Sequence, residues 1–188
     1  MRVIAGEFKG RALKAVPGNF TRPTADKVKE SLFQIIGPFF NGGKALDLFA
    51  GSGNLGIEAL SRGVDHVTFV DKHPKAIRTI YENIKLVKAE DQSAVFRMDA
   101  LRALHIFAEK QSQFDMIFLD PPYAKIDYQK VIENILDKDL LAENGIIICE
   151  HDPKNEIAHE KLHKIKQVKY SGTIAVTLLE DVQKVHKK

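Results

Sequence analysis

Several things are scarce in this sequence, and each shortage narrows what the chain can do. Cysteine occurs once in 188 residues, as Cys149, so an internal disulfide is excluded and a reducing compartment fits. That thiol lies in the apolar run IIICE, where a small core residue is expected and not a nucleophile. No apolar run approaches the roughly 20 residues that span a bilayer, and MRVIAGEFKGRAL lacks the apolar core of a signal peptide. A cytoplasmic location is the resulting expectation. Internal repeats and low-complexity tracts are missing as well, and the length suits one domain with a sizeable core. A large charge of one sign is also absent, since the net charge is only +3, well short of a dedicated polycation.

The charge that is present is unevenly spread. Arg2, Lys9, Arg11, Lys14, Arg22, Lys27 and Lys29 fall in the first thirty residues, and Lys164, Lys166, Lys169, Lys184, Lys187 and Lys188 near the end. Basic ends around a mixed middle suit a phosphate-bearing partner, and they suit a plain solvated surface equally well.

The stretch Lys44 to Gly56, KALDLFAGSGNLG, organises the rest. Ala45, Leu46, Leu48 and Phe49 form a short apolar run that suits a buried strand. Gly51, Ser52 and Gly53 interrupt it, and Leu55, Ile57, Ala59 and Leu60 continue with helical spacing until Gly63. Strand, glycine turn and helix N-terminus make a nucleotide cradle, because small residues let a ligand approach backbone N–H groups.

Before this stretch, residues 1 to 16 alternate loosely about the polar turn Glu7 to Gly10 and read as an exposed hairpin. Thr24 is placed to cap a helix whose apolar stripe is Val28, Leu32, Ile35 and Ile36. These elements form an extension over residues 1–38, ahead of an α/β body over 39–188. In the body, strands HVTFV (66 to 70), AVFRM (94 to 98), DMIFLD (115 to 120) and IIIC (146 to 149) alternate with helices. The helices run through Ile77, Ile80, Tyr81, Ile84 and Val87, through Leu101, Leu104, Ile106 and Phe107, and through Val131, Ile132, Ile135 and Leu136. Such alternation predicts a mostly parallel sheet with helices on both faces, and KQVKYSG with TIAVTLL predicts an antiparallel ending.

Asp47, Asp71, Asp99 and Asp120 fall at or near the carboxyl ends of four successive strands, where an open parallel sheet binds its ligand. Gly51, Gly53 and Gly56 fit G-x-G-x-x-G with Asp71 twenty residues on, the pattern of dinucleotide oxidoreductases. A carboxylate there accepts two hydrogen bonds from the vicinal diol of any nucleoside, so the pattern does not separate a dinucleotide from S-adenosylmethionine. Asp99 adds an acceptor suited to an adenine amino group. Asp120, Pro121, Pro122 and Tyr123 do separate them. Two prolines stiffen the turn, Asp120 and the Pro121 carbonyl can accept both protons of a planar exocyclic amine, and Tyr123 offers a face for stacking a base.

Together, DLFAGSGNLGIEAL, FVDKHPKA, FRMDA and FLDPPY resemble the successive motifs of class I S-adenosylmethionine-dependent methyltransferases that act on exocyclic amines. RVIAGEFKGRAL and TRPTADKVKESLFQII further resemble the RsmD-like family, the bacterial 16S ribosomal RNA guanine-N2 methyltransferases. The resemblance covers essentially the whole chain, thinning toward SGTIAVTLLE. It implies a Rossmann-like, seven-stranded sheet. It implies that Asp47, Ala50, Gly51, Ser52 and Gly53 hold the methionine end of the cofactor, Asp71 with Lys72 its ribose, and Asp99 with Ala100 its adenine, and that Asp120 also borders the cofactor. Asp120 to Tyr123 would take the target amine, and Asp in place of the Asn of many adenine-modifying relatives fits guanine. Arg2, Lys9, Arg11, Lys14 and Arg22 would dock 16S RNA within the small subunit. No metal, no membrane and a monomer are expected. The alternatives are an adenine-N6 DNA methyltransferase, although no target-recognition domain is evident, and a noncatalytic RNA-binding assembly factor.

One decoy stands apart. His159, Glu160 and His163 spell HEKLH, formally a zinc-protease motif, but Lys161, Lys164 and Lys166 make the expected helix look solvated instead of buried about a metal.

Overall fold

Alternating apolar runs and helical stripes do become alternating strands and helices in the computed structural model, which describes residues 1–18, 25–121, 126–170 and 172–182. Arg22, Thr24, Pro122, Tyr123, Lys184, Lys187 and Lys188 lie outside the described residues. Seven strands form one sheet in the order β3-β2-β1-β4-β5-β7-β6, and the chain divides into two units, Met1–Asp99 and Ala100–Lys188.

The first unit holds α1 (Ala25–Ile36), β1 (Lys44–Asp47), α2 (Asn54–Ser61), β2 (His66–Asp71), α3 (Pro74–Val87) and β3 (Ser93–Arg97). Its strands are parallel, with Asp47 opposite Phe69 and Asp71 opposite Arg97. β1 ends earlier than its apolar run suggests: Leu48 and Phe49 already belong to a turn, although Leu48 is fully buried beneath it. On α3 the buried face is Ala76, Ile80, Ile84 and Val87, while Tyr81 is 55 % exposed. The expected stripe was therefore rotated by part of a turn, because alanine counts as core when the strand beneath it is close.

The hairpin at residues 1 to 16 is reduced to one antiparallel bridge, Arg2 to Ala12, and it is not a free ribbon. Val3, Phe8, Leu13 and Val16 are buried. Its backbone is fixed to α2: Ile4 and Ala5 N–H donate to Glu58 at 2.9 and 3.1 Å, Glu7 N–H to the Ser61 carbonyl at 2.8 Å, and Phe8 N–H to Ser61 Oγ at 2.9 Å. Gly6 has φ +87°, and a Cβ there would lie 1.7 Å from the Ser61 carbonyl oxygen, so only glycine permits the approach.

The second unit holds α4 (Ala100–Glu109), β4 (Phe114–Leu119), α5 (Tyr128–Asp137), β5 (Leu141–His151), β6 (Leu162–Tyr170) and β7 (Ile174–Asp181). β4 and β5 are parallel, and β7 is antiparallel to both β5 and β6, as the ending of the sequence predicts. Cys149 is a fully buried core residue of β5, and burial raises its thiol pKa. The HEKLH segment is not helical. His159 precedes β6, His163 lies within it beside Glu180 at 3.1 Å, and the spacing that would bring two histidines together on a helix does not apply.

Candidate active site

In the first unit, the parallel strands deliver Asp47 and Asp71 as the last residues of β1 and β2, with Asp99 two residues past β3. Met98 N–H donates to the Asp71 carbonyl at 3.1 Å, which carries the chain of Asp99 past the end of β2. Between β1 and α2 the glycine loop is held from several sides. Ala50 N–H donates to the Val70 carbonyl at 2.9 Å and Gly53 N–H to the Ala50 carbonyl at 2.7 Å. Gly51 N–H donates to Asp71 Oδ2 at 2.9 Å, and the other Asp71 oxygen accepts the His73 N–H at 2.8 Å.

The glycines divide their work. Gly51 and Gly53 have φ of 56° and 79°, the left-handed region that side chains resist. A Cβ on Gly51 would meet nothing within 4 Å, so its backbone is open to a ligand, whereas a Cβ on Gly56 would come within 2.3 Å of the Phe69 ring. Gly56 thus serves the packing of α2 on β2, as the third glycine of the sequence pattern should.

Asp47 is 2 % exposed, and its Oδ2 accepts the Gly56 N–H at 3.1 Å. Burial, opposed by that hydrogen bond and reinforced by the charge of Asp71, pushes its carboxyl up to about 7. A cationic ligand group beside the loop would favour the ionised form. Open backbone at Gly51 together with this poised carboxyl fits the methionine end of S-adenosylmethionine. Asp99 and Lys72 are exposed, and Ala100 is buried at the start of α4.

Asp120 directly follows β4 in the second unit. With Pro121 it borders a cleft of about 530 Å³, whose other walls include Tyr128, Glu150, His151 and Asn155. The Tyr128 hydroxyl donates to the Glu150 carbonyl, and its ring meets the His151 ring edge-on at 6.3 Å. His151 Nδ1–H donates to the Asp152 carbonyl at 2.8 Å, which leaves Nε2 to accept the Thr177 hydroxyl at 2.8 Å. Gln167 in turn donates to Thr177 Oγ1 at 3.1 Å. Burial lowers the His151 pKa, consistent with this neutral tautomer. The acidic residues Asp120, Asp127, Glu150, Asp152 and Glu156 line this cleft.

Sequence reading missed the centre of the first unit. Glu58 on α2 is fully buried between two cations, Lys29 Nζ at 3.0 Å and Arg62 Nε at 2.8 Å. Burial lowers the Lys29 pKa, with Glu58 opposing the shift. Arg62 also donates to the Pro38 carbonyl at 2.9 Å and lies 4.9 Å from the Phe33 ring centroid. The only sequence clue was that Glu58 interrupts the apolar face of its helix. Of the expected docking residues, Arg2, Lys9, Arg11 and Lys14 are exposed. Lys14 is already paired with Glu82 at 2.9 Å, a contact that lowers the Glu82 pKa.

The sheet and glycine loop define a Rossmann-like methyltransferase fold. The profile of the family described as "Conserved hypothetical protein 95" matches residues 1–180. A Bacillus subtilis protein provisionally named an rRNA methyltransferase, YlbH, is 53 % identical over 84 % of this chain and 85 % of its own length. Ribosomal RNA small subunit methyltransferase D of Haemophilus influenzae is 31 % identical over 96 % of this chain and 94 % of its own. Among solved structures, Escherichia coli yhhF, provisionally described as a methyltransferase, superposes with a TM-score of 0.84 at 30 % identity, covering 96 % of this chain and 97 % of that one. The chain belongs to the RsmD family.

Proposed function

We propose that this protein transfers a methyl group from S-adenosylmethionine to the exocyclic N2 amine of a guanine in 16S ribosomal RNA of the small subunit. The relatives named as ribosomal RNA small subunit methyltransferases support the RNA class. The observation that carries the choice of atom is Asp120 at the end of β4, followed by Pro121 on the lip of an open cleft. A carboxylate accepts from an amine, and guanine N2 presents two protons on its pairing edge.

When bound, S-adenosylmethionine supplies an electrophilic methyl group on a sulfonium. Ala50, Gly51, Ser52 and Gly53 would hold its methionine end with Asp47, Asp71 and Lys72 its ribose, and Asp99 with Ala100 its adenine. Asp120 would accept a hydrogen bond from N2, stabilise the positive charge that develops as the carbon–nitrogen bond forms and the methyl–sulfur bond breaks, and take the proton that N2 loses, S-adenosylhomocysteine being the leaving product. Pro121 and Pro122 would keep that turn stiff, and Tyr123 would stack on the base. The target guanine must be unpaired or flipped for N2 to be reached. Arg2, Lys9, Arg11, Lys14 and Arg22 would position phosphates without reading sequence. No helix among the described residues is long and apolar enough to cross a membrane, and a monomer acting in the cytoplasm, where ribosomal RNA resides, completes this reading.

Mass-spectrometric nucleoside analysis of 16S RNA from cells with and without the gene tests it. Loss of one N2-methylguanosine, restored by the wild-type gene and not by an Asp120→Ala variant, is the expected result. Loss of an N6-methyladenine from DNA, or no change in any nucleoside, would overturn it in favour of a DNA enzyme or an assembly factor.

A further inference from the structure

The N-terminal ribbon and the glycine loop share two buried clamps. Asn83 of α3, 0 % exposed, accepts the Lys14 N–H at 2.8 Å and donates from its amide nitrogen both to the Lys14 carbonyl and to the Ser52 carbonyl, each at 2.9 Å. Lys29 of α1, 2 % exposed, donates to the Arg2 carbonyl and to Asn54 Oδ1, each at 2.7 Å. One clamp thus grips the outgoing limb of the ribbon and the middle of the loop. The other grips the incoming limb and the first residue of α2. Met1 Sδ adds a weaker contact at 3.8 Å from Ser52 Oγ.

A buried amide or ammonium that loses one partner is left unsatisfied in a low-dielectric site, so a shift of either limb is felt at the loop. Neither side chain has a long flexible route around this constraint, because each is enclosed. We propose that Asn83 and Lys29 are positioning residues that couple the two ligand sites, so that RNA held on the ribbon tightens cofactor binding in the glycine loop, and the cofactor tightens RNA. This inference rests on the reading of the loop as the cofactor site and of the ribbon as an RNA-docking element. Reciprocity follows from linkage: whatever factor one ligand imposes on the other is returned.

The test is titration of S-adenosylhomocysteine into the full-length protein, alone and saturated with small ribosomal subunits from cells lacking this protein. For the wild type, the subunit should lower the S-adenosylhomocysteine Kd by about fivefold or more. In Asn83→Ala and Lys29→Met that ratio should fall toward one, whatever happens to the two separate affinities. A purely structural role would shift both Kd values together and keep their ratio. Hydrogen exchange on the protein alone gives a second reading. S-adenosylhomocysteine should slow exchange at Ile4, Ala5 and Lys14; Asn83→Ala should remove the response at Lys14, and Lys29→Met the response at Ile4 and Ala5. A wild-type ratio of one, or ribbon amides indifferent to S-adenosylhomocysteine, would overturn the coupling while both ligands still bind. Failure of S-adenosylhomocysteine or the subunit to bind at all would instead sink the underlying reading.

Discussion

The ends of β1 and β4 are built in opposite ways. At β1 and its neighbour β2, carboxylates are satisfied by backbone: Gly56 N–H on Asp47, Gly51 and His73 N–H on Asp71. At β4, Asp120 and Pro121 border a cleft, and its far wall is held by side chains, with Tyr128 on the Glu150 carbonyl and His151 on Thr177. The contrast suits two kinds of ligand. A cofactor that never changes can be met by backbone geometry, which a few glycines and aspartates determine. On the proposed reading the acceptor base is met instead by side chains, which can be exchanged without disturbing the sheet.

The largest expected effect breaks the side-chain half. Asp120→Ala should lower single-turnover methylation of small subunits on the order of 100-fold or more, with S-adenosylhomocysteine affinity nearly unchanged. If turnover survives, the residues after β4 are only a stiff turn. Asp71→Ala strikes the backbone half instead. It releases the Gly51 and His73 N–H groups and, on the proposed reading, leaves ribose hydroxyls unpaired, so calorimetry should show cofactor binding weaker by about 1 to 3 kcal/mol. Gly56→Ala should act on stability, because the new methyl group meets Phe69 and Val67. Overpacking of this kind costs about 1 to 3 kcal/mol, measurable by urea denaturation.

The smallest effect sharpens the comparison through pH. The Asp47 carboxyl is raised from 3.8 to about 7 in the folded protein. Its contribution to stability is therefore full below pH 4 and is lost as pH rises through 7, where the fold must bear a buried charge. Asp47→Asn should remove that part of the decline between pH 4 and 7 in thermal scans. Cofactor binding has the opposite slope. A cationic methionine end favours the carboxylate, so affinity should rise through pH 7 with release of a proton, visible as a buffer-dependent heat, and Asp47→Asn should abolish this proton release.

The alternation of strands and helices, the glycine loop and the strand-end aspartates were legible because each leaves a local mark: β-branched runs, glycines at fixed spacing, acids where runs stop. Edges were less so. Leu48 and Phe49 look like strand but belong to a turn, since burial under a loop and burial in a sheet give the same apolar letters. HEKLH reads as helix by composition, yet pairing with β7 makes its second half a strand, a non-local preference that no window reveals. Least legible was the Lys29–Glu58–Arg62 group, whose members come from α1, α2 and the residue just past α2 and look like ordinary surface charges until the ribbon covers them. What sequence could not show there was the partner, because the ribbon residues act through backbone N–H groups that carry no signature.

That covering has a kinetic consequence. The bonds from Ile4, Ala5 and Phe8 to Glu58 and Ser61 join residues 53 or 54 positions apart, and those from Lys14 to Asn83 span 69. Closing such long loops is entropically costly before any contact repays it, so the ribbon should settle after α2 and α3, to which it is fixed, have formed. Weakening it, for example by Ser61→Ala, should leave the refolding arm of a chevron plot in place and steepen the loss of the native state, with faster unfolding at every denaturant concentration. The ribbon would then act as a latch that governs how long the folded protein lasts more than how quickly it forms.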